Sequence, residues 1–227
     1  MSKGTKKTDA PAGRRTPEST PQKRLEDLKK LERILDGLGS QVAEDYVESG
    51  NEAAAAALTA RLVAAIPDPE RKAFHTLRLG ILMERANDFE TATTWYARGI
   101  SMEPQDRKVW YFLFNNMSYS LAQLGKNEES EWHARQALQI DRERHNAHKN
   151  LGVALAALGR SEEASERLLT AAMIAPGDYR ALGHLEELVA QDETLLLRVE
   201  GLADKLRACR EAARAAAAER ERERGRQ

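Results

Sequence analysis

Residues 146–176, NAHKNLGVALAALGRSEEASERLLTAAMIAP, read as two short helices set back to back. Leu151, Leu155 and Leu158 recur at spacings of four and three, which puts them on one face of a helix because 3.6 residues complete a turn. Gly152 stands beside Leu151. After Gly159 a second apolar stripe runs through Ala164, Leu168, Ala171 and Ala172 until Pro176 stops it. Gly159 suits a C-terminal cap, where the backbone must turn left-handed. Gly152 and Ala164 have the size needed where two helices approach closely.

Leu151-Gly152, Gly159, Ala164, Leu168, Ala171 and Pro176 together resemble the signature of a tetratricopeptide (TPR) repeat, a helix-turn-helix unit of about 34 residues. The pattern recurs. Leu79-Gly80, Ala92, Tyr96, Gly99 and Pro104 fall at the same relative offsets within 73–104. Gly125, Ser130, Ala134 and Ala137 repeat Gly159, Ala164, Leu168 and Ala171 at a spacing of 34. From Ala92 to Ser130 the spacing is 38, one helical turn more, which places the extra turn around Lys108 to Tyr111, at the start of the middle repeat. In that repeat Arg142 replaces the terminal proline, and Ser118 replaces the small residue of the Leu-Gly pair. The resemblance implies an all-α right-handed superhelix with three repeats over residues 73–178. Gly50, Ala55, Leu62 and Pro67 mark a degenerate copy within the N-terminal helices of 23–72.

Composition agrees. The 227 residues are 31% charged and 5% aromatic, and abundant Ala, Leu, Glu and Arg beside few strand formers indicate an all-helical protein. The length suits one or two domains with a sizeable core. Cys209 is the single cysteine, which excludes an intramolecular disulfide framework and fits a reducing compartment. The longest apolar runs fall far short of the roughly 20 residues a membrane helix needs, and no apolar segment follows the basic N-terminus as a secretory signal requires. A soluble, cytoplasmic protein without a membrane segment is expected.

The two ends differ. Residues 1–22 contain three prolines and no aromatic, Leu, Ile or Val, the composition of a disordered tail. Residues 1–24 carry about +5, against about −8 for residues 25–192. The tail reads first as a solvated leader and second as a contact for nucleic acid, which the negative middle of the chain disfavours. Leu25, Leu28, Leu31, Leu35 and Leu38 form a seam with a 3.5-residue repeat, ended by Gly37 and Gly39. After Pro176, Leu182, Leu185, Leu188 and Val189 give one more apolar face. Leu195, Val199, Leu202, Leu206, Cys209, Ala213 and Ala216 then step by alternating four and three in a helix expected to start near Asp192. That heptad seam is read as a cap over the last repeat, since terminal repeats need one, with an intermolecular coiled coil as the alternative. Residues 179–218 are therefore capping helices and 219–227 a charged tail.

A catalytic constellation is missing. The sequence has no phosphate-binding glycine loop, Gly-x-Ser-x-Gly, His-Glu-x-x-His or Cys-x-x-Cys, so no enzyme, cofactor, metal or small-molecule substrate is expected. His145 and His148 lie three apart and could share a metal, but nothing completes the site and His148 falls at a packing position. Glu128-Glu129 and Glu162-Glu163 open second helices, where negative charge is favourable.

What remains is a surface. In proteins of the resembled family, first helices line a concave groove and second helices form the outer wall. By that resemblance the groove holds Phe74, Leu77, Arg78, Ile81 and Arg85, then Phe112, Asn115, Asn116, Tyr119 and Gln123, then Asn146, Lys149, Asn150 and Val153, with Arg180 and His184 following. Arg78, Arg85, Asn115, Asn116, Tyr119, Lys149, Asn150, Arg180 and His184 are the candidate peptide-binding residues. Asn and Lys side chains can bond an extended peptide's backbone and acidic groups. A subset of TPR proteins grips a peptide's C-terminal carboxylate with Lys, Asn, Asn, Lys and Arg. Asn150, Arg180 and His184 match or approximate three of those positions, whereas Asn115 and Tyr119 stand where the clamp has Lys and Asn. The implied function is protein–protein interaction, as an adaptor, scaffold or chaperone-like module binding a peptide or partner helix. A structural subunit, or a homo-oligomer, assembled through the terminal helices is the alternative. The groove could also be a solvated face, or be filled by the C-terminal helix.

Overall fold

The computed structural model describes residues 45–226, with isolated positions upstream (Gln22, Lys23, Glu26, Lys30, Gly37, Leu38, Gln41 and Val42). The basic tail over 1–21 and leucines 25, 28, 31 and 35 lie outside the described residues. Of the two glycines expected to end that seam, Gly37 is itself helical.

Among the described residues the chain is helical without strands. The helices are α1 (Glu52–Ala65), α2 (Pro69–Arg85), α3 (Phe89–Ile100), α4 (Arg107–Gln123), α5 (Asn127–Ile140), α6 (His145–Ala157), α7 (Ser161–Ile174), α8 (Tyr179–Gln191), α9 (Leu195–Arg198) and α10 (Leu202–Arg224). Local chemistry sets their ends. Asn51, Asp68, Asp88, Asp106 and Asp178 each accept a backbone N–H with their side chains at a helix start, satisfying donors that a first turn leaves unpaired. Between the helices of each pair the backbone turns left-handed at one residue: Gly125 (φ 73°), Gly159 (φ 76°) and, in the first pair, Asn87 (φ 58°). The same closing bond follows each time, from Asp88 N to Met83 O, Lys126 N to Leu121 O and Arg160 N to Leu155 O at 2.8–3.0 Å. Gly50 (φ 74°) makes this turn before α1, with Asn51 N on Tyr46 O.

Helices α2/α3, α4/α5 and α6/α7 pack as antiparallel hairpins, and each hairpin stacks on the next. The crossings are set by matched sizes. Gly80 faces fully buried Tyr96, whose ring occupies the place a Cβ on residue 80 would take. At Gly152 a Cβ would stand 2.6 Å from Leu168 Cγ. In the middle pair the matching residue of α5 is Ala134, and the space it leaves holds Ser118 and Ser130, whose hydroxyls meet at 3.1 Å. The core therefore runs as a chain of clusters, from Ala55, Leu79 and Leu82 through Leu77, Tyr96 and Leu113 to Leu151, Leu168 and Leu185.

The extra turn expected at the start of the middle pair is present, since α4 begins at Arg107 and has 17 residues against 13 for α6; α2 likewise has 17. One expectation is corrected. The seam from Leu195 to Ala216 is not one helix. It breaks at Gly201, which is left-handed (φ 68°), because Val199 is extended and ends α9. Periodicity ran across the break because both sides face the same cluster, where Leu195, Leu202, Leu206, Cys209 and Ala213 are buried. Helix α10 packs on α7, α8 and α9 and is fastened by Tyr179 Oη, which donates to Ala213 O at 3.0 Å, and by Arg210–Glu186 at 2.6 Å. The seam is thus spent inside the chain as a cap. No helix among the described residues is long and apolar enough to cross a membrane.

Candidate functional site

Successive first helices touch one another (α2 with α4, α4 with α6, α6 with α8), whereas successive second helices are held apart. That asymmetry curves the stack so that the first helices form its inner face. Helix α10 has no comparable packing on α2, α4 or α6, so among the described residues it lies at the end of the stack and not on this face.

The floor of that face is polar. Asn150 on α6 is 4% exposed, and its Nδ2 donates to the backbone oxygen of Asn115 at 3.0 Å and to Asn115 Oδ1 at 3.2 Å. Asn115 Nδ2 donates in turn to Asn116 Oδ1 at 2.9 Å. The two Asn150 bonds join α6 to α4, so the Asn150 amide is engaged inside the chain. Beside them Ser120 Oγ donates to Glu84 Oε1 at 2.7 Å, tying α4 to α2. Burial pushes the Glu84 carboxyl up to about 7, only partly offset by the bond from Ser120, the nearby Tyr96 hydroxyl and the charge of Lys149. The Tyr96 hydroxyl makes no well-formed hydrogen bond, although the Glu84 carboxyl and Asn116 amide face it; burial, then Glu84, push it upward.

Lys149 is the outlying group. It is 7% exposed, yet its ammonium has no hydrogen bond or ion pair among the described residues. Its Nζ lies over the half-exposed Tyr119 ring, 5.7 Å from the centroid. Burial pulls its pKa down to about 8, and the nearby Arg180 charge adds to the effect, while the charges of Asp178 and Glu84 oppose it. A carboxylate on such a cation would be held by both charge and the low-dielectric surroundings.

At the next step Arg180 grips Asp178 with Nη2 at 2.5 Å and reaches Asn146 Oδ1 at 3.2 Å. Its hydrogen bonds and charge hold the Asp178 carboxyl well below the usual carboxylate range. His145 Nε2 lies 3.1 Å from the same carboxylate, while His148 Nε2 turns to the Arg142 carbonyl at 2.9 Å. The two histidines therefore have separate partners. His184 pairs with Glu187 at 3.5 Å. Arg78 stacks on the exposed Phe74 ring at 5.9 Å, and Arg85 is exposed at the end of α2.

The structure thus gathers Tyr119, Lys149, Asn115, Asn116 and Asn150 into one patch, with Arg180 among the charges acting on Lys149. Arg78 and Arg85 share α2, and His184 is engaged with Glu187. Glu84 was missed by sequence reasoning. A signal existed: it stands two turns beyond buried Leu77, on the inward face of α2.

The class that this geometry defines is the TPR solenoid, an all-α superhelix of stacked helix pairs. Solved structures carry the same fold. MamA (residues 41 to the end) from Desulfovibrio magneticus RS-1 superposes with TM-score 0.63 at 14% identity, over 79% of this chain and 96% of that one. The Hsp90 co-chaperone Cns1 from Saccharomyces cerevisiae gives 0.54 at 21% identity, over 69% of this chain and 47% of that one. No family model and no curated protein sequence matches the chain.

Proposed function

We propose that the inner face of α2, α4, α6 and α8 binds an extended acidic segment of a protein partner, so that the chain acts as a cytoplasmic adaptor or scaffold and not as an enzyme. Lys149 carries this reading: a buried cation that makes no direct ion pair, with Glu84 and Asp178 acting on it only at longer range, is costly, and a carboxylate supplied by a partner lowers that cost. Tyr119 gives the wall against which the segment lies, Arg180 and Asn116 offer further donors, and Arg78, Arg85 and His184 extend the face at its two ends. Asn115 and Asn150 hold the floor.

A direct test is fluorescence anisotropy with an array of Glu/Asp-rich peptides and their Gln/Asn counterparts. Lys149→Gln should weaken the best acidic peptide by about tenfold or more, the range for losing one partner of a desolvated charge pair, with Arg180→Ala acting in the same direction. Equal binding of acidic and amide peptides, or no effect of Lys149→Gln, would remove the proposal.

A further inference from the structure

Two crevices of similar size differ in how their charges are balanced. One, of about 370 Å³, is lined by Arg160 and Arg198 together with Glu162, Glu163 and Asp192. It neutralises itself through Arg160–Glu163 at 2.6 Å and Arg198–Asp192 at 2.5 Å. The other, of about 360 Å³, lies between α5, α6 and α7, with Arg135, Arg142 and Arg167 over a floor of Leu138 and Leu151 and no carboxylate in its lining. Arg135 pairs with Glu131 at 2.7 Å. Arg142 and Arg167 have no ion pair and no side-chain hydrogen bond among the described residues.

His148, 7% exposed, also lines this crevice. Its Nε2 serves the Arg142 carbonyl at 2.9 Å, which steadies the loop that carries Arg142, and its buried Nδ1 has no partner. Burial holds the imidazole below its ordinary value, the charge of Arg167 acts in the same direction and the bond to the Arg142 carbonyl opposes it, so Arg142 and Arg167 supply the uncompensated charge. Guanidinium forks match planar and tetrahedral oxyanions bidentately. One carboxylate would leave one of these two charges uncompensated. A phosphate monoester brings about −1.5 to −2 near neutral pH and three acceptor oxygens, and the leucine floor offers apolar contact to whatever carries it. The size falls at the lower end of the range of about 300–1,000 Å³ for small-ligand sites.

We propose that the crevice between α5, α6 and α7 is a second binding site, specific for a phosphate monoester on an apolar or aromatic stem. It shares no residue with the concave face and stands whether or not that face binds peptides.

Isothermal titration of the full chain with phenyl phosphate, benzoate and inorganic phosphate tests it. Phenyl phosphate should bind saturably and more tightly than either of the others. The Arg142→Gln/Arg167→Gln double variant should weaken it by at least tenfold, with Arg198→Gln in the self-neutralised crevice leaving it unchanged and circular dichroism showing both variants folded. A phosphotyrosyl peptide that binds tenfold tighter than phenyl phosphate would identify a modified protein segment as the source, and equal affinity a free phosphate ester. No saturable binding of phenyl phosphate, or undiminished binding by the folded double variant, would overturn the proposal.

Discussion

The middle and third helix pairs cross in the same way with opposite chemistry. In the third, Gly152 gives up its side chain so that Leu168 can fill the crossing. In the middle pair Ala134 is the small partner, and Ser118 and Ser130 fill the gap, Ser130 Oγ also donating to Ser118 O at 2.8 Å. Taken singly, each serine departs from the repeat pattern. Taken together with Ala134 they form a satisfied polar substitute for an apolar contact. What the superhelix conserves between its units is the volume and the hydrogen-bond balance at the crossing, not residue identity.

The sharpest way to break this comparison is to overfill a glycine crossing. Gly80→Ala should cost about 3 kcal/mol, the upper range for overpacking, because the Tyr96 ring it meets is fully buried. Gly152→Ala should also destabilise, since its Cβ would meet the buried Leu168 Cγ and stand 3.2 Å from the Ala164 carbonyl oxygen. Adding Leu168→Ala should return part of the loss, and strict additivity in urea unfolding midpoints would contradict the matched-size account. Next, Asn150→Ala should remove about 2 kcal/mol, the scale for stranding buried polar partners, as read by chemical denaturation. Lys149→Gln should leave stability unreduced and act on binding alone.

A smaller effect is expected at the serines. Ser130→Ala should cost about 1 kcal/mol by stranding the Ser118 hydroxyl. The Ser118→Ala/Ser130→Ala double variant should lose less than the sum of the singles, and a double-mutant cycle with no coupling would show that the pair is not a unit. Last comes pH. The Glu84 carboxyl titrates near 7 in the folded chain against an ordinary 4.5. The folded state therefore holds this proton more tightly, and the contribution is full below about 4.5 and lost as pH rises through about 7. Glu84→Gln should flatten this fall in thermal melts, so that the variant gains on the wild type above pH 7. Lys149 has the opposite sign: its burial costs stability below about 8, and acidic-peptide binding should decline as pH rises past that value.

The crossings and turns were legible because they depend on neighbours close in sequence. Gly125 and Gly159 announce their left-handed turns, and Asp68, Asp88, Asp106 and Asp178 announce helix starts. Asn87 stands at the same offset as the glycines, so the first pair's turn could have been read too. The site was legible only as a list. Spacing placed Asn115, Lys149 and Asn150 on inward faces, but not that Asn150 spends its amide on Asn115 while Lys149 keeps its charge unpaired. Glu84 went unnoticed because an acid beside Arg85 reads as a solvated pair. The Gly201 break was hidden because the apolar spacing continues through it.

The sequence by itself determined the class of fold, the helix pairs and their order, since turn chemistry, size and 3.6-residue spacing are local properties repeated from unit to unit. Only the tertiary structure decided which polar groups satisfy each other and which are left over. Lys149, and Arg142 with Arg167, stand out because stacking whole hairpins brings residues from separate helices to one place, where desolvation, set by all their neighbours at once, gives each charge its cost.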